Sequence, residues 1–263
     1  MPRHAGAFIF VKKMRFFLVF CAAILQACTS STAGDTKTKL LAAENKNSDK
    51  VLIELFTSQG CSSCPSADKL ISSLAQTDTN LIVLSFHVDY WDRLGWKDVF
   101  SHHDYTLRQQ QYAQMFRSQS VYTPQAVVQG QFEMVGSSKP GITSALAKVK
   151  KQHNNTILTA NAVVNGDAVA INFSFNATPV NRQLIAALVQ IHANTSIQRG
   201  ENKGIELEGY NVVREFKMIP LSATSGNLKM MLPSDIKADN TSVVLFMQDA
   251  ASKKIEAVTQ VKL

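Results

Sequence analysis

The chain has 263 residues, of which 45% are apolar and 18% are charged, and it contains 12 Gly, 7 Pro and 4 Cys. This composition excludes a disordered chain, a collagen-like repeat, a disulfide-dense mini-protein and a protein with several membrane spans. The length is enough for one large domain or two ordinary ones, and either can bury a core that needs no metal or disulfide to fold.

The first 27 residues have the order of regions found in an export signal. Four basic residues and no acidic ones precede an apolar run, Phe16–Leu25, which is too short to span a bilayer. The following Leu25-Gln-Ala-Cys28 is similar to a bacterial lipoprotein signal, in which Cys28 takes the lipid and becomes the new N-terminus. We therefore expect a protein on the periplasmic side of the bacterial cell envelope, held at a membrane by Cys28.

Other interpretations of this segment stay open. Phe16–Leu25 can be a buried core helix, or the segment can be an ordinary cleaved signal peptide with Cys28 as a bystander. Translation can also start at Met14, because Met14-Arg15 would suffice as the basic region. Loss of residues 1–27 removes four positive charges and lowers the formal net charge from +7 to about +3. So small a charge gives no reason to expect a nucleic-acid partner.

Export decides how the cysteines are interpreted, because disulfides persist outside the cytosol. Cys21 lies inside the apolar run and Cys28 is the lipidation candidate. Cys61 and Cys64 remain as the candidate pair of the mature chain.

Residues 28–50 are predicted to be a flexible tether, to which Leu40–Ala43 add one local turn. Residues 51–154 show the order β-α-β-α-β-β-α. The predicted elements are a strand at Val51–Phe56, a helix with apolar residues at Ala67, Leu70, Ile71 and Leu74, a strand at Leu81–Val88, a helix at Tyr105–Arg117, strands at Ala126–Val128 and Phe132–Val135, and a helix around Ile142–Val149. An aromatic and charged insertion, Tyr90–Asp104, separates the second strand from the second helix.

Residues 155–263 alternate apolar and polar side chains, as in strands with one buried face. Asn165-Gly166 predicts a hairpin turn, because both positions of the favoured turn need positive φ. Further strands are predicted at Leu184–His192, Asn211–Met218, Asn227–Met231, Val243–Gln248 and Ile255–Val261. The predicted fold class is α/β: a domain in which strands and helices alternate, followed by a small antiparallel β-sandwich-like domain.

The Cys61-Ser-Ser-Cys64 pair lies at a predicted helix start. A thiolate at Cys61 would be stabilised there by unused backbone N–H groups and by the positive end of the helix dipole. Cys61 could then attack a partner disulfide, and Cys64, one turn further on, would resolve the mixed disulfide. Ser62 and Ser63 could donate hydrogen bonds to the Cys61 sulfur. Pro65 is tolerated in the first turn of the helix, because the backbone N–H that proline lacks would have no helical partner there.

Val51–Pro65, Thr123-Pro124 and the element order resemble the thioredoxin superfamily. The resemblance implies that residues 51–154 form a thioredoxin-like domain, with a central mixed sheet flanked by helices. More closely, four blocks resemble an uncharacterised family of secreted thioredoxin-like proteins: Glu54–Pro65, Ser85–Asp92, Val121–Gln125 and Arg199–Gly204. The resemblance implies a thiol–disulfide oxidoreductase with Cys61 as nucleophile and Cys64 as resolving thiol, acting on proteins that carry thiols or disulfides, without a cofactor. It also implies a cis bond at Thr123-Pro124, whose backbone would pair with an incoming peptide.

Two departures from the thioredoxin pattern concern the site. Thioredoxins carry a buried acid in the strand before the motif, which assists proton transfer from the second cysteine. Glu54 is the candidate for this role, although its spacing to Cys61 is one residue longer, and an outward-pointing strand glutamate is the alternative. The Tyr90–Asp104 insertion is the second departure, and we expect it to shape a substrate groove.

Two rival functions use the same region. The cysteines could form a zinc or copper site with His87, Asp89, Asp92, His102, His103 or Asp104, although none lies at a recognisable ligand spacing. Alternatively, the disulfide is permanent and the chain is a binding module, with Trp91, Trp96 and Phe100 lining a partner groove. Arg199–Gly204 is interpreted as a solvated charged loop without a chemical role.

Overall fold

The computed structural model describes the backbone of residues 41–43 and residues 49–152 and 154–263 in full. The predicted signal segment, Cys28 and most of the predicted tether lie outside the described residues. Leu41–Ala43 form a short strand, β1, where the sequence predicted a local turn. The strand forms because its backbone pairs antiparallel with a later strand at Ala160–Ala162. This partner is too far away along the chain for a local sequence pattern to reveal it.

The first half of the chain has the predicted order of elements, with small shifts at the ends. The elements are β2 Val51–Thr57, α1 Cys64–Thr77, β3 Leu81–His87, α2 His103–Phe116, β4 Gln125–Val128, β5 Phe132–Val135 and α3 Lys139–Lys150. The segment between β3 and α2, residues 88–102, contains one short 3-10 helix, Asp89–Leu94. We call it the aromatic segment.

The second half consists of strands and one short 3-10 helix, Ala238–Asn240. The strands are β6 Leu158–Asn165, β7 Ala168–Phe175, β8 Arg182–Ser196, β9 Glu206–Pro220, β10 Ser225–Met231, β11 Thr241–Asp249 and β12 Ile255–Lys262. The β6–β7 hairpin turns at Gly166-Asp167, one residue later than predicted, because Asn165 still pairs with Ala168. Of the two predicted turn residues only Gly166 has positive φ, at +63°. β8 and β9 are both longer than predicted. The β8–β9 loop (residues 197–205) is therefore shorter than the predicted connection between the two strands.

The structure has a central mixed sheet of eight strands in the order β12-β11-β8-β9-β3-β2-β4-β5. β2 is parallel to β3 and antiparallel to β4, and β3 joins β9 in parallel at the pair Ser85 and Val212. Strands from both predicted domains thus pair in one sheet. A further antiparallel sheet has the order β1-β6-β7-β10. The mixed α/β architecture with helices and a second antiparallel sheet agrees with the predicted fold class at this level.

Each face of the sheet is covered by a separate apolar cluster. α1 and α3 pack against one face, where Ile53 and Leu55 meet Ala67 and Ile71. α2 packs against the other face, where Phe56 and Phe86 stack with ring centroids 5.6 Å apart. A third cluster lies between β8, β11 and β12 and the strands of the second sheet. The alternation of side chains along β2 therefore decides which helix each residue contacts.

Among the residues that the structure describes, there is no helix of sufficient length and hydrophobicity to cross a membrane.

Candidate functional site

The two cysteines are joined in a disulfide at the start of α1. Cys64 is the first residue of the helix and Cys61 lies in the preceding turn, with Cα atoms 5.4 Å apart. The turn is closed by backbone bonds from Cys61 N–H to the Ser58 oxygen and from Cys64 N–H to the Cys61 oxygen, both 3.2 Å. The Cys61 Sγ lies 3.4 Å from the Ser63 Oγ, whereas Ser62 is exposed and its backbone has a different partner.

The β8–β9 loop covers this turn. The Asn202 side-chain amide donates to the carbonyl oxygens of Gln59 and Cys61, at 2.8 and 3.0 Å. The Ser62 N–H donates to the Glu201 carboxylate at 3.1 Å. Both cysteines are 0% exposed. The sequence predicted a solvated loop without a role here, but Asn202 is buried and holds the backbone of the cysteine turn.

The aromatic segment packs on the other side of the turn. Trp96 Nε1 donates to the Gln59 Oε1 at 3.0 Å, and the Gln59 side-chain amide donates to Thr195 at the end of β8. Trp96 also packs against the β8–β9 loop at Gly200, where a Cβ would lie 3.1 Å from the Trp96 Cβ and where φ is +77°. Gly200 is therefore needed for both its conformation and its close approach to Trp96.

Thr123 and Pro124 lie at the same end of the sheet, directly before β4. The Thr123–Pro124 peptide bond is cis. Trp91 Nε1 donates to the Thr123 Oγ1 at 2.8 Å, and Trp91 also lies against Gly60, where a Cβ would be 3.3 Å from the Trp91 Cβ. Trp91 thus connects the cysteine turn to the Thr123-Pro124 turn.

A buried charged pair adjoins the turn from behind. His87, at the end of β3, contacts the Asp98 carboxylate through Nδ1 at 2.7 Å, and the same Asp98 oxygen accepts from the Gln59 N–H. Burial lowers the pKa of His87, but attraction to Asp98 outweighs this effect and leaves the pKa raised. Burial acts to raise the pKa of Asp98. The positive charge of His87 and its hydrogen bond outweigh burial, so the pKa of Asp98 is lowered from its usual value.

Asp68 is an acidic group near the disulfide that the sequence analysis missed. It lies on α1 four positions after Cys64, and it shares a small cavity with Ser58 and His87. Its carboxylate accepts a hydrogen bond from the Thr57 Oγ1 at 3.1 Å. Burial raises the pKa of Asp68 to about 6, even though His87 and the Thr57 hydroxyl both act to lower it. The i, i+4 spacing from Cys64 was the available sequence signal.

Glu54 is fully buried, which rules out the outward-pointing alternative. Its carboxylate forms an ion pair with Arg108 of α2 and accepts a hydrogen bond from the Tyr112 hydroxyl. Arg108 lies 5.2 to 5.8 Å from four aromatic ring centroids and is itself 2% exposed. Ile53 and Leu55, the neighbours of Glu54, contact α1, so alternation places the Glu54 side chain on the α2 face of the sheet.

The candidate metal ligands are dispersed into separate pairs. His103 contacts Asp89 at 2.9 Å and His102 lies 3.5 Å from Asp104, both at exposed positions, while Asp92 accepts from Ser101. Within residues 49–152 and 154–263, no group of three His, Cys, Asp or Glu side chains converges as a ligand set. Phe100, predicted for a partner groove, is half-buried and packs edge-on to His87 with ring centroids 5.3 Å apart.

Several solved structures resemble this chain. Protein AGR_C_4864 from Agrobacterium tumefaciens matches with a TM-score of 0.64 and 24% identity, over 82% of this chain and 96% of its own, which shows a shared fold. A domain of the outer membrane lipoprotein Omp28 from Porphyromonas gingivalis matches with a TM-score of 0.27 and 16% identity, over 41% of this chain and 94% of its own. That second likeness is too weak to support an argument.

A search of the curated proteins found no match. The family model described as "Protein of unknown function (DUF1223)" matches residues 52–248, which include β2, the cysteine turn, the Thr123-Pro124 turn and the β8–β9 loop. The chain belongs to this family.

Proposed function

We propose that this protein is a thiol–disulfide oxidoreductase of the thioredoxin type, with Cys61 and Cys64 as its redox pair. The observation that carries the proposal is the disulfide between the turn after β2 and the first residue of α1. The order β2-α1-β3-α2-β4-β5-α3 is the one that the thioredoxin resemblance implied. The Thr123-Pro124 turn lies beside the same helix, because Gly136 packs against both Pro124 and Ala67 of α1.

The exchange reaction would proceed through a mixed disulfide. In the oxidising direction, a substrate thiolate attacks the Cys61 sulfur, and the electron pair of the broken S–S bond moves to Cys64, which takes up a proton. A second substrate thiolate then attacks the substrate sulfur and releases Cys61 as a thiolate. In the reducing direction the Cys61 thiolate attacks a substrate disulfide, and Cys64 loses its proton and resolves the intermediate.

Asp68 is the best-placed group to exchange the Cys64 proton in this proposal. It lies one helical turn from Cys64, and its pKa of about 6 allows it to hold or release a proton near neutral pH. Glu54 is committed to Arg108 and Tyr112 on the opposite face of the sheet. We therefore assign to Asp68 the proton-transfer role that the sequence analysis gave to Glu54.

A binding module with a permanent disulfide is the second candidate function. The observations that favour it are the complete burial of both cysteines and the hydrogen bond from the β8–β9 loop to the Cys61 oxygen. An oxidoreductase requires the loop to move away from Cys61 during exchange, because a substrate sulfur must reach the Cys61 Sγ in line with the disulfide. A permanent disulfide needs no such motion.

The reduction potential of the pair separates the two candidates. Purified mature protein is equilibrated with glutathione buffers and its free thiols are counted. A potential of roughly −120 to −270 mV, the range of known exchange proteins, supports the oxidoreductase and indicates its direction. A potential below about −300 mV identifies a structural disulfide and supports the binding module.

Two single variants test the roles of the cysteines. We expect Cys61→Ser to abolish exchange and Cys64→Ser to accumulate a mixed disulfide between Cys61 and a substrate protein, which is visible on a non-reducing gel and reversed by dithiothreitol. Turnover retained by Cys61→Ser would contradict the assignment of the nucleophile. An absence of mixed disulfide in Cys64→Ser under the same conditions would contradict the assignment of the resolving thiol.

We also propose that the protein is exported and anchored through a lipid on Cys28. The support for this proposal is the sequence of residues 1–28, with its basic residues, apolar run and Cys28. Mass spectrometry of the mature N-terminus from membrane fractions tests this proposal. A diacylated Cys28 is the expected result, and Cys28→Ala should move the protein from the membrane to the soluble fraction. An N-terminus at another residue, without lipid, would leave an ordinary secreted protein.

A further inference from the structure

Glu201 brings a carboxylate to the peptide group that directly follows Cys61. Its Oε2 accepts from the Ser62 N–H at 3.1 Å, although 139 positions separate the two residues. Glu201 is exposed on the β8–β9 loop, and its neighbour Asn202 is buried and bonded to the Cys61 oxygen. The Cys61 sulfur is uncharged while it is in the disulfide, so a carboxylate beside it is tolerated in this state.

Reduction changes the electrostatics of this contact. A Cys61 thiolate depends for its stability on the N–H groups that precede α1 and on the positive end of the helix dipole. The Glu201 carboxylate competes for one of these donors and repels the thiolate charge. The contact therefore favours the disulfide over the dithiol.

The other charged groups at this end of the sheet have different positions. Asp68 on α1 accepts from Thr57, and His87 at the end of β3 is paired with Asp98 of the aromatic segment. Arg199 and Lys203 lie on the β8–β9 loop with exposed side chains. Among the described residues, Glu201 is the acidic residue whose carboxylate accepts a hydrogen bond from the backbone between the two cysteines.

We propose that Glu201 is a positioning residue that lowers the reduction potential of the Cys61–Cys64 pair and ties the β8–β9 loop to its oxidised form. This inference deepens the proposed function and rests on it. When two glutathione thiols are oxidised to glutathione disulfide, their two electrons reduce the Cys61–Cys64 bond. One of their protons goes to Cys64 and the other to solvent, which leaves Cys61 as a thiolate. The new charge that develops at Cys61 then repels Glu201 and releases the loop.

The variant Glu201→Gln isolates the charge, because its amide oxygen still accepts from Ser62. A charge at a helix N-terminus changes stability by about 0.3–1 kcal/mol, which corresponds to about a two- to fivefold change in equilibrium constant. We expect the glutathione equilibrium to shift by this factor towards the dithiol, which is on the order of 10–20 mV for a two-electron couple. The Cys61 pKa, followed by thiolate absorbance, should fall, and both shifts should shrink at about 1 M salt.

Glu206→Gln is the matched control, because Glu206 is an exposed glutamate at the start of β9, opposite Ser196 in the sheet. Equal potentials for the wild type and Glu201→Gln, or an equal shift in Glu206→Gln, would overturn the inference. The proposed function can fail separately. A wild-type protein that equilibrates with dithiothreitol but exchanges with no protein substrate would contradict the proposal that the chain is an oxidoreductase. A shifted Glu201→Gln equilibrium in the same protein would still support the role of Glu201.

Discussion

The side-chain amide of Asn202 donates a hydrogen bond to the carbonyl oxygen of Cys61 at 3.0 Å, across 141 positions of sequence. The same amide donates to the Gln59 oxygen, and the Asn202 residue is 2% exposed. The β8–β9 loop is therefore held to the backbone of the cysteine turn by two hydrogen bonds. Access to the Cys61 sulfur depends on how often these two hydrogen bonds open.

Asn202→Ala should destabilise the protein and expose the disulfide. The change leaves two buried carbonyl oxygens without this partner, so we expect the free energy of unfolding to fall by about 1–3 kcal/mol in urea titrations. Reduction of the disulfide by dithiothreitol should become faster, because the loop opens more often. Asn194→Ala, at an exposed position of β8, is the control. A destabilised Asn202→Ala protein with an unchanged reduction rate would show that the loop does not limit access.

Tryptophan fluorescence should report the redox state of the site. The chain has two tryptophans, and both contact the site: Trp91 bonds to Thr123 and Trp96 to Gln59. We expect reduction to change the emission spectrum, because release of the β8–β9 loop removes the packing of Gly200 against Trp96. The double variant Cys61→Ser/Cys64→Ser should not respond to dithiothreitol. Superimposable spectra of the oxidised and reduced wild type would contradict release of the loop.

The pKa of Asp68 predicts a pH dependence of stability. Burial raises this pKa to about 6 in the folded chain, above its usual value of 3.8, so the folded protein binds the proton more tightly than the unfolded chain. The free energy of unfolding should therefore fall as the pH rises from about 4 to about 6 and then level off.

Asp68→Asn should remove this dependence and keep an acceptor for the Thr57 hydroxyl. We expect the variant to be more stable than the wild type at pH 7 by about 1–2 kcal/mol, and equal to it near pH 4. Urea titrations at four pH values measure both effects. Asp167→Asn, an exposed turn residue, is the control. An unchanged slope between pH 4 and 6 in Asp68→Asn would contradict the raised pKa.

Glu54→Gln should destabilise the fold without changing the redox equilibrium. The variant leaves the buried Arg108 cation without its partner, which costs about 3–5 kcal/mol. The double variant Glu54→Gln/Arg108→Met should recover part of this loss, because it buries no unpaired charge. Thermal and urea unfolding measure stability, and glutathione equilibration measures the potential. A potential that moves with Glu54→Gln would restore Glu54 as a participant in the redox chemistry.

The local part of the site could be predicted from the sequence. Val51–Phe56 and the apolar spacing of Ala67, Ile71 and their neighbours predicted the strand and helix that hold the cysteines, because both patterns act over one element. The ion pair of Glu54 could not be predicted in this way. Its identity was visible in the sequence, but its partner Arg108 is 54 positions away on α2, and only packing shows that the two charges meet.

The cysteine pair, the strand–turn–helix around it and the hairpin pattern of residues 155–263 could be predicted without a structure, because each depends on contacts or periodicities between near neighbours. Three other features appear only once the chain is folded: β9 joins β3 in one sheet, the β8–β9 loop covers Cys61, and Asp68 and His87 share a cavity behind the turn. These relationships depend on single hydrogen bonds and strand pairings between distant residues, which leave no periodic signal in one sequence.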